Sequence, residues 1–283
     1  MMFSSKNMSY IYYHEYFEGL EERKGASGLV YELGGSPSSE EQFRERNKAL
    51  QDFKFDLSLS PLEHLKNASK DVASVQTFSL QTIYPGLMIG TGNPHDLKSK
   101  GSIYSGFSFD YVTGLPYIPG SSVKGILKSV FPTKEDTKDD INQQKMKYIK
   151  SLLKPELSDE ELSDEEIYGL KDNIFEDNDV FLDAYPTSKN KTKQQCLALE
   201  FITPHSDIIK NPIPINCLKV KPGISFEFGF YLNEYKLSDE VQNECQLSDG
   251  VQITVKDKIE LFKSILTDVG IGAKTNVGFG QLE

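Results

Sequence analysis

Two period-two strand patterns, two amphipathic helices and their order along 283 residues predict an α+β fold of the split βαβ, ferredoxin-like type with long insertions. The first strand signal is Phe78, Leu80 and Thr82 alternating with Thr77, Ser79 and Gln81. The clearest is Ile224, Phe226, Phe228, Phe230 and Leu232, with Ser225, Glu227, Gly229 and Tyr231 on the opposite face. Between and after them lie helical stripes at Val123, Ile126, Leu127, Val130 and at Ile259, Phe262, Leu266, Val269.

Residues 1–70 read as an irregular N-terminal arm. Gly25-Ala-Ser-Gly28 and Gly34-Gly-Ser-Pro-Ser-Ser39 are loop chemistry, with one charged helical stretch from Glu40 to Phe53. Residues 71–283 form the domain itself. Its first strand begins at Val75, turns at Pro85-Gly86 and resumes at Leu87-Met88-Ile89. A loop with four glycines, Gly90 to Gly106, follows. The first helix has Ser121 or Ser122 as its natural N-cap and stops at Pro132. A second helical run covers about Ile141 to Leu153. Residues 154–179 are an acidic insertion carrying tandem pentads, Ser158 to Leu162 and Ser163 to Ile167. Each serine precedes a glutamate by three residues, a capping box, so the insertion reads as a solvated loop with a short helix. Strands return at Val180–Tyr185 and Cys196–Ile202, separated by the basic turn Thr187 to Lys193. A Pro-rich connection, Pro204 to Pro214, leads toward the central strand. The last helix spans Asp257 to Val269 with Gly270 at C′, and a short strand ends at Glu283.

Composition narrows the class. Hydrophobic residues at 38% and charged residues at 26% suit a soluble globular chain. No apolar run approaches the roughly 18 residues of a membrane span, and the first residues lack the pattern of a secretory signal. Cys196, Cys217 and Cys245 contain no CxxC pair, which predicts reduced structural thiols in a cytoplasmic protein, with no zinc ribbon. The net charge of −11 is concentrated: residues 154–179 carry −9, leaving −2 for the other 257. A nucleic-acid surface needs only local basic character, so the overall acidity does not exclude one.

Two segments are candidate phosphate sites. In Gly114-Leu-Pro-Tyr-Ile-Pro-Gly-Ser-Ser-Val-Lys-Gly125, a turn at Pro119-Gly120 opens a helix. Free N–H groups at Gly120, Ser121 and Ser122 would meet a phosphate there, with Lys124 and Lys128 adding charge. The ordinary alternative is a capped helix. The second segment runs from Gly270 through Gly272, Lys274, Thr275, Asn276 and Gly278 to Gly280. It fits neither GxGxxG nor the Walker pattern. Such a loop still lets a phosphate backbone approach closely. Its alternative is a helix C-cap followed by a turn.

Catalytic signals are sparse. The histidines are His14, His64, His95 and His205, none at metal-ligand spacing, so no metal or cofactor is expected. His95 with Asp96, in the Gly90–Gly106 loop, is the best candidate pair for acid–base work on RNA, against the plainer reading of a solvated loop. Asp183, inside the apolar Phe181–Tyr185 run, reads as a carboxylate bonding backbone amides more readily than as a metal ligand.

The 114–125 segment resembles the PYIPGSSxKG signature of the RAMP superfamily of CRISPR-associated proteins, and the Gly270–Gly280 loop resembles that superfamily's C-terminal glycine-rich loop. Val180-Phe-Leu-Asp-Ala-Tyr-Pro186, Phe201-Ile-Thr-Pro-His205, Asn211 to Ile215, Leu218 to Gly223 and the ending Gly270 to Gly278 are similar to the sixth-subunit family of the Cmr module, the type III-B CRISPR effector. The resemblance covers about 75–283. It implies a ferredoxin-like (RRM-like) RAMP fold and a mainly architectural role in antiviral defence. The implied place is the end of a ribonucleoprotein filament, near the 3′ part of the guide RNA. Its implied partners are guide RNA, target RNA, the repeated backbone RAMP subunit, a second RAMP subunit at the tip and the small helical subunits. Target cutting belongs, in that family, to the backbone subunits.

The expected mechanism is therefore grip on the guide's phosphates without reading bases, through Lys124, the helix amides and the Gly270–Gly280 loop. Aromatic rings on an exposed sheet face would add stacking. The rival is a metal-independent endoribonuclease with His95 as general base. A third reading is an interaction protein working through the acidic insertion.

Overall fold

The computed structural model describes residues 2–25, 28–68, 75–95, 97, 99–135, 139–153, 163–177, 179–188, 192–203, 214–236 and 252–283. In chain order the elements are α1 (Met8–Tyr13), β1 (Leu20–Gly25), β2 (Gly28–Leu33), α2 (Ser39–Asp52), β3 (Phe55–Asp56), α3 (Pro61–Ala68) and β4 (Gln76–Gln81). Then come α4 (Gly120–Ser129), α5 (Asp140–Leu153), α6 (Asp164–Asp172), β5 (Val180–Phe181), β6 (Tyr185–Thr187), β7 (Lys193–Gln194) and β8 (Leu197–Ile202). The last are β9 (Ile215–Val220), β10 (Ser225–Tyr231), β11 (Tyr235–Lys236), β12 (Gln252–Ile253) and α7 (Val255–Val269).

Strand β10 is central. It pairs antiparallel with β4 on one side and with β5 and β6 on the other. The chain end adds a bridge on the far side of β4, Thr82 to Leu282. Period-two patterning decides which face is filled. Phe226, Phe228 and Phe230 are fully buried, each contributing on the order of 2 kcal/mol of apolar burial. Phe78 stacks on Phe228 and Phe230 across the pair. Helix α7 supplies the covering layer, with Phe262 5.3 Å from Phe230. A capping box between Thr254 and Asp257 starts α7.

The opposite face of β10 is not open. Leu62 of α3 is buried, and Lys66 of the same helix pairs with Glu227 at 2.8 Å. An exposed aromatic platform on this face, expected by analogy with RRM sheets, is therefore not what the fold presents around Glu227.

Residues 1–70 are not an irregular arm. Met8, Ile11, Tyr12, Phe43, Leu50 and Phe55 share one contiguous core with Leu80, Phe226 and Phe262. Apart from α2, the elements there are short and separated by glycine and proline, and fall below the length at which periodicity speaks. A capping box between Ser38 and Glu41 opens α2, the one stretch legible as helix.

Three other expectations change. Leu87-Met88-Ile89 forms only an isolated bridge, Leu87 to Val220. The Val180–Tyr185 strand is two short strands, interrupted at Leu182–Ala184. In the acidic insertion, the Ser163–Glu166 capping box forms as expected, but α6 does not simply lie in solvent: Ile167 and Leu170 are buried. The first pentad, Ser158 to Leu162, lies outside the described residues, as do Asn211 to Ile213. The middle of the basic turn, Lys189 to Lys191, lies outside them too.

Candidate nucleic-acid interface

The first turn of α4 is capped from a distance. Neither Ser121 nor Ser122 is the N-cap; that residue is Pro119, which has no capping side chain. Asp183 takes the role instead, its Oδ1 accepting the Gly120 amide at 2.7 Å. The amides of Ser122 and Val123 both donate to the Pro119 carbonyl. This leaves the Ser121 amide without an acceptor among the described residues. One free donor is fewer than the sequence suggested, because a helix opening beside β5 can borrow a carboxylate from that strand's end.

The two lysines of the segment point away from a common phosphate site. Lys124 Nζ lies 5.9 Å from the Phe181 ring centroid, a cation–π contact. Lys128 pairs with Glu176, and this hydrogen bond holds the Glu176 carboxyl below the usual carboxylate range. The cleft-facing side of α4 carries Ser122, Gly125, Ile126 and Ser129.

The C-terminal glycine loop is held by backbone bonds. Ile271 N–H donates to Gly280 O at 2.9 Å, Gly280 N–H to Gly86 O at 2.8 Å, and Ala273 N–H to Met88 O at 2.9 Å. A Cβ on Gly280 would lie 1.8 Å from the Ile271 carbonyl, so only glycine allows this approach. Gly270 ends α7 as expected. Thr275 and Asn276 form a short 3₁₀ turn closed by Gly278. Lys274 is exposed and adopts φ 62°, the sole positive φ of a non-glycine residue among those described.

These segments meet at a cleft of about 600 Å³. Its walls are α4, the Met88–Asn93 loop and Ile271–Ala273. The lining carries no charged side chain and is largely apolar, with Met88, Ile89, Ile118, Ile126 and Ile271 interrupted by the polar Thr91, Asn93, Ser108, Ser122 and Ser129. The amides of Thr91, Gly92 and Gly272 donate to no acceptor among the described residues; Ser122 and Ser129 line the same space, the Ser129 hydroxyl already donating to the Ile126 carbonyl at 2.7 Å. Concentrated N–H donors without carboxylates suit an anionic backbone. The structure thus joins Ser122 to Gly272 and leaves Lys124 and Lys128 outside the lining. Sequence reasoning missed the Gly90–Asn93 wall. Its signal was Gly90 and Gly92, read only as the loop carrying His95.

His95 is not in a solvated loop. It is 8% exposed and enclosed by Tyr12 and Phe17, each with ring centroids 4.6 Å away, and by Tyr13. The aromatic α1 segment, read as part of an irregular arm, makes this enclosure. Asp96 lies outside the described residues. Asp183 bonds a backbone amide, its ordinary reading. Among the described residues no group of three or more His, Cys, Asp or Glu could hold a metal, and no helix is long and apolar enough to cross a membrane. Cys196 and Cys217 are buried free thiols; burial pushes Cys196 up to about 12. Cys245 lies outside the described residues.

The α+β fold and its two glycine-bearing segments place the protein in a family of known architecture. The RAMP superfamily model matches residues 79–283, and the chain belongs to that superfamily. More particularly, it is 29% identical over 184 residues to the CRISPR system CMR subunit Cmr6 of Saccharolobus solfataricus. That match covers 63% of this chain and 48% of the relative, so it spans about half the length of the curated protein. Among solved structures, a cryo-EM structure of the Type III-B Cmr-beta bound to cognate target RNA contains a chain of like fold. The TM-score is 0.51 at 23% identity, covering 89% of this chain and 76% of that one. The crystal structure of Cmr6 from Pyrococcus furiosus matches at TM-score 0.41 and 21% identity, over 74% of this chain and 96% of that one.

Proposed function

We propose that the chain is a non-catalytic, RNA-binding scaffold subunit of a type III-B CRISPR (Cmr) ribonucleoprotein. In this reading it caps the filament near the 3′ part of the guide RNA, in cytoplasmic antiviral defence. Its neighbours are the repeated backbone RAMP subunit, a second tip RAMP subunit and a small helical subunit, with guide and target RNA running past them. The observation that carries the reading is the cleft between α4 and the glycine loops, free of charged side chains and bordered by three residues whose amides have no acceptor among the described residues, in a chain of RAMP descent. Contacts from amides and hydroxyls hold a backbone whatever the base sequence, as a guide with a variable spacer requires.

A ferredoxin-like identity for the sheet is supported by its order. The chain-end bridge lies beside β4, β4 beside β10, and β10 beside β5 and β6, all antiparallel. The non-catalytic reading is supported by the enclosure of His95, since a general base must reach the proton it takes. The test is binding of two guide-length single-stranded RNAs of unrelated sequence across a salt series. Similar affinities that fall steeply with salt fit the proposal; strong preference for one sequence contradicts it.

A further inference from the structure

Tyr84 is a large ring left in the open on a rigid mount. It is 84% exposed and makes no ring contact among the described residues. The turn that carries it is fixed on several sides. Gly86 N–H donates to Ile83 O at 2.8 Å, and Ile83 N–H to Gln281 O at 3.2 Å. Leu87 N–H donates to Val220 O at 3.1 Å, and the Thr82 hydroxyl to Lys221 O at 2.8 Å. The Lys219–Gly223 segment, which the phosphate cleft does not use, thereby becomes a foundation for this turn.

The mount joins both glycine walls of the cleft. The chain runs from Tyr84 through Gly86 directly into the Met88–Asn93 wall. Across from it, Gly280 N–H donates to Gly86 O, and a Cβ on Gly278 would stand 3.7 Å from Pro85. Val277, 64% exposed, lies beside that contact, and the exposed Lys274 lies in the same loop. A ring on a fixed backbone gives up only its own side-chain torsions when it stacks on a flat ligand, and the exposed Lys274 in the neighbouring loop suits a ligand that is also anionic.

We propose that Tyr84 is a stacking platform for one unpaired base of the single-stranded RNA whose backbone enters the cleft. The inference rests on the RNA-binding reading and adds a base contact that is tolerant of sequence, since every base offers a face.

The chain contains no tryptophan, so a Tyr84→Trp variant carries a single indole reporter. Oligoadenylate should quench its fluorescence, whereas inorganic polyphosphate, with charge but no bases, should not. Tyr84→Ala should weaken oligoadenylate binding by about 5-fold to 100-fold while leaving polyphosphate binding unchanged, and Tyr84→Phe should bind like wild type. If wild type binds oligoadenylate but Tyr84→Ala binds it equally and the indole is unquenched, stacking is overturned and the scaffold reading stands. If Tyr84→Ala keeps its RNA affinity but loses association with another protein chain, the ring is a protein contact and the inference also falls. Absence of any RNA binding by wild type overturns both.

Discussion

The Asp183 carboxylate accepts the Gly120 amide at 2.7 Å and so closes the first turn of α4 from a neighbouring strand connection. One residue thereby fixes the helix that forms a wall of the cleft and occupies a donor that a phosphate would otherwise find. Removing the acceptor should cost about 1 kcal/mol, the usual worth of an N-cap. Asp183→Ala should melt at lower temperature than Asp183→Asn, which keeps an acceptor oxygen. Gly120→Ala should be worse than either, because its Cβ would stand 2.3 Å from the Phe181 carbonyl.

The enclosure of His95 makes it a packing residue. His95→Ala should lose on the order of 2 kcal/mol of stability in denaturant titrations, through the gap left among Tyr12, Tyr13 and Phe17. Repeat RNA incubated with wild type or with the variant should stay intact. Discrete cuts by wild type that vanish in the variant would revive the ribonuclease reading.

The lysines should separate. Lys274 is exposed and directly follows the cleft-lining Gly272 and Ala273, so Lys274→Ala should make the log–log salt slope of RNA binding shallower by about 0.7. Lys128 is paired with Glu176, so Lys128→Ala should leave the slope unchanged.

Alkaline pH should weaken the fold. Burial raises the Cys196 thiol from 9.0 to about 12. Below pH 9 the thiol is protonated in both states, and its contribution is fully present. Between about pH 9 and 12 the unfolded chain releases this proton while the folded chain keeps it, so stability falls as pH rises. Burial also raises Tyr12 and Tyr16, which extends the loss. Melting temperatures recorded across this range should drop, and Cys196→Ala should flatten the decline.

What the sequence revealed follows from length and periodicity. Phe226, Phe228 and Phe230 alternate over enough residues to show both strand and buried face, and Phe262 and Leu266 do the same for α7. Tyr12 and Tyr16, by contrast, sit in turns of helix too short to show a period, so their place in the core was invisible. Asp179 illustrates another limit. It ends an acidic run that reads as surface, yet it is buried against Lys258, a charge on the inner face of α7 that no one-dimensional pattern pairs with it. The glycine segments were legible as unusual. That Gly280 serves close backbone contact while Gly92 lines a cleft depends on which loops fold together.

Gly125 offers the most direct measurement. It lies on the cleft side of α4, and a Cβ added there meets nothing within 4 Å. Gly125→Ala should stabilise the helix by about 0.5–1 kcal/mol and leave single-stranded RNA binding near wild type. Gly125→Glu should keep the fold at least as stable as wild type while placing a carboxylate in the cleft proposed for the RNA phosphates. RNA binding by Gly125→Glu, measured by fluorescence anisotropy beside Gly125→Ala, should be reduced at least tenfold. Binding equal to wild type by a folded Gly125→Glu protein would contradict the assignment of this cleft to the RNA backbone.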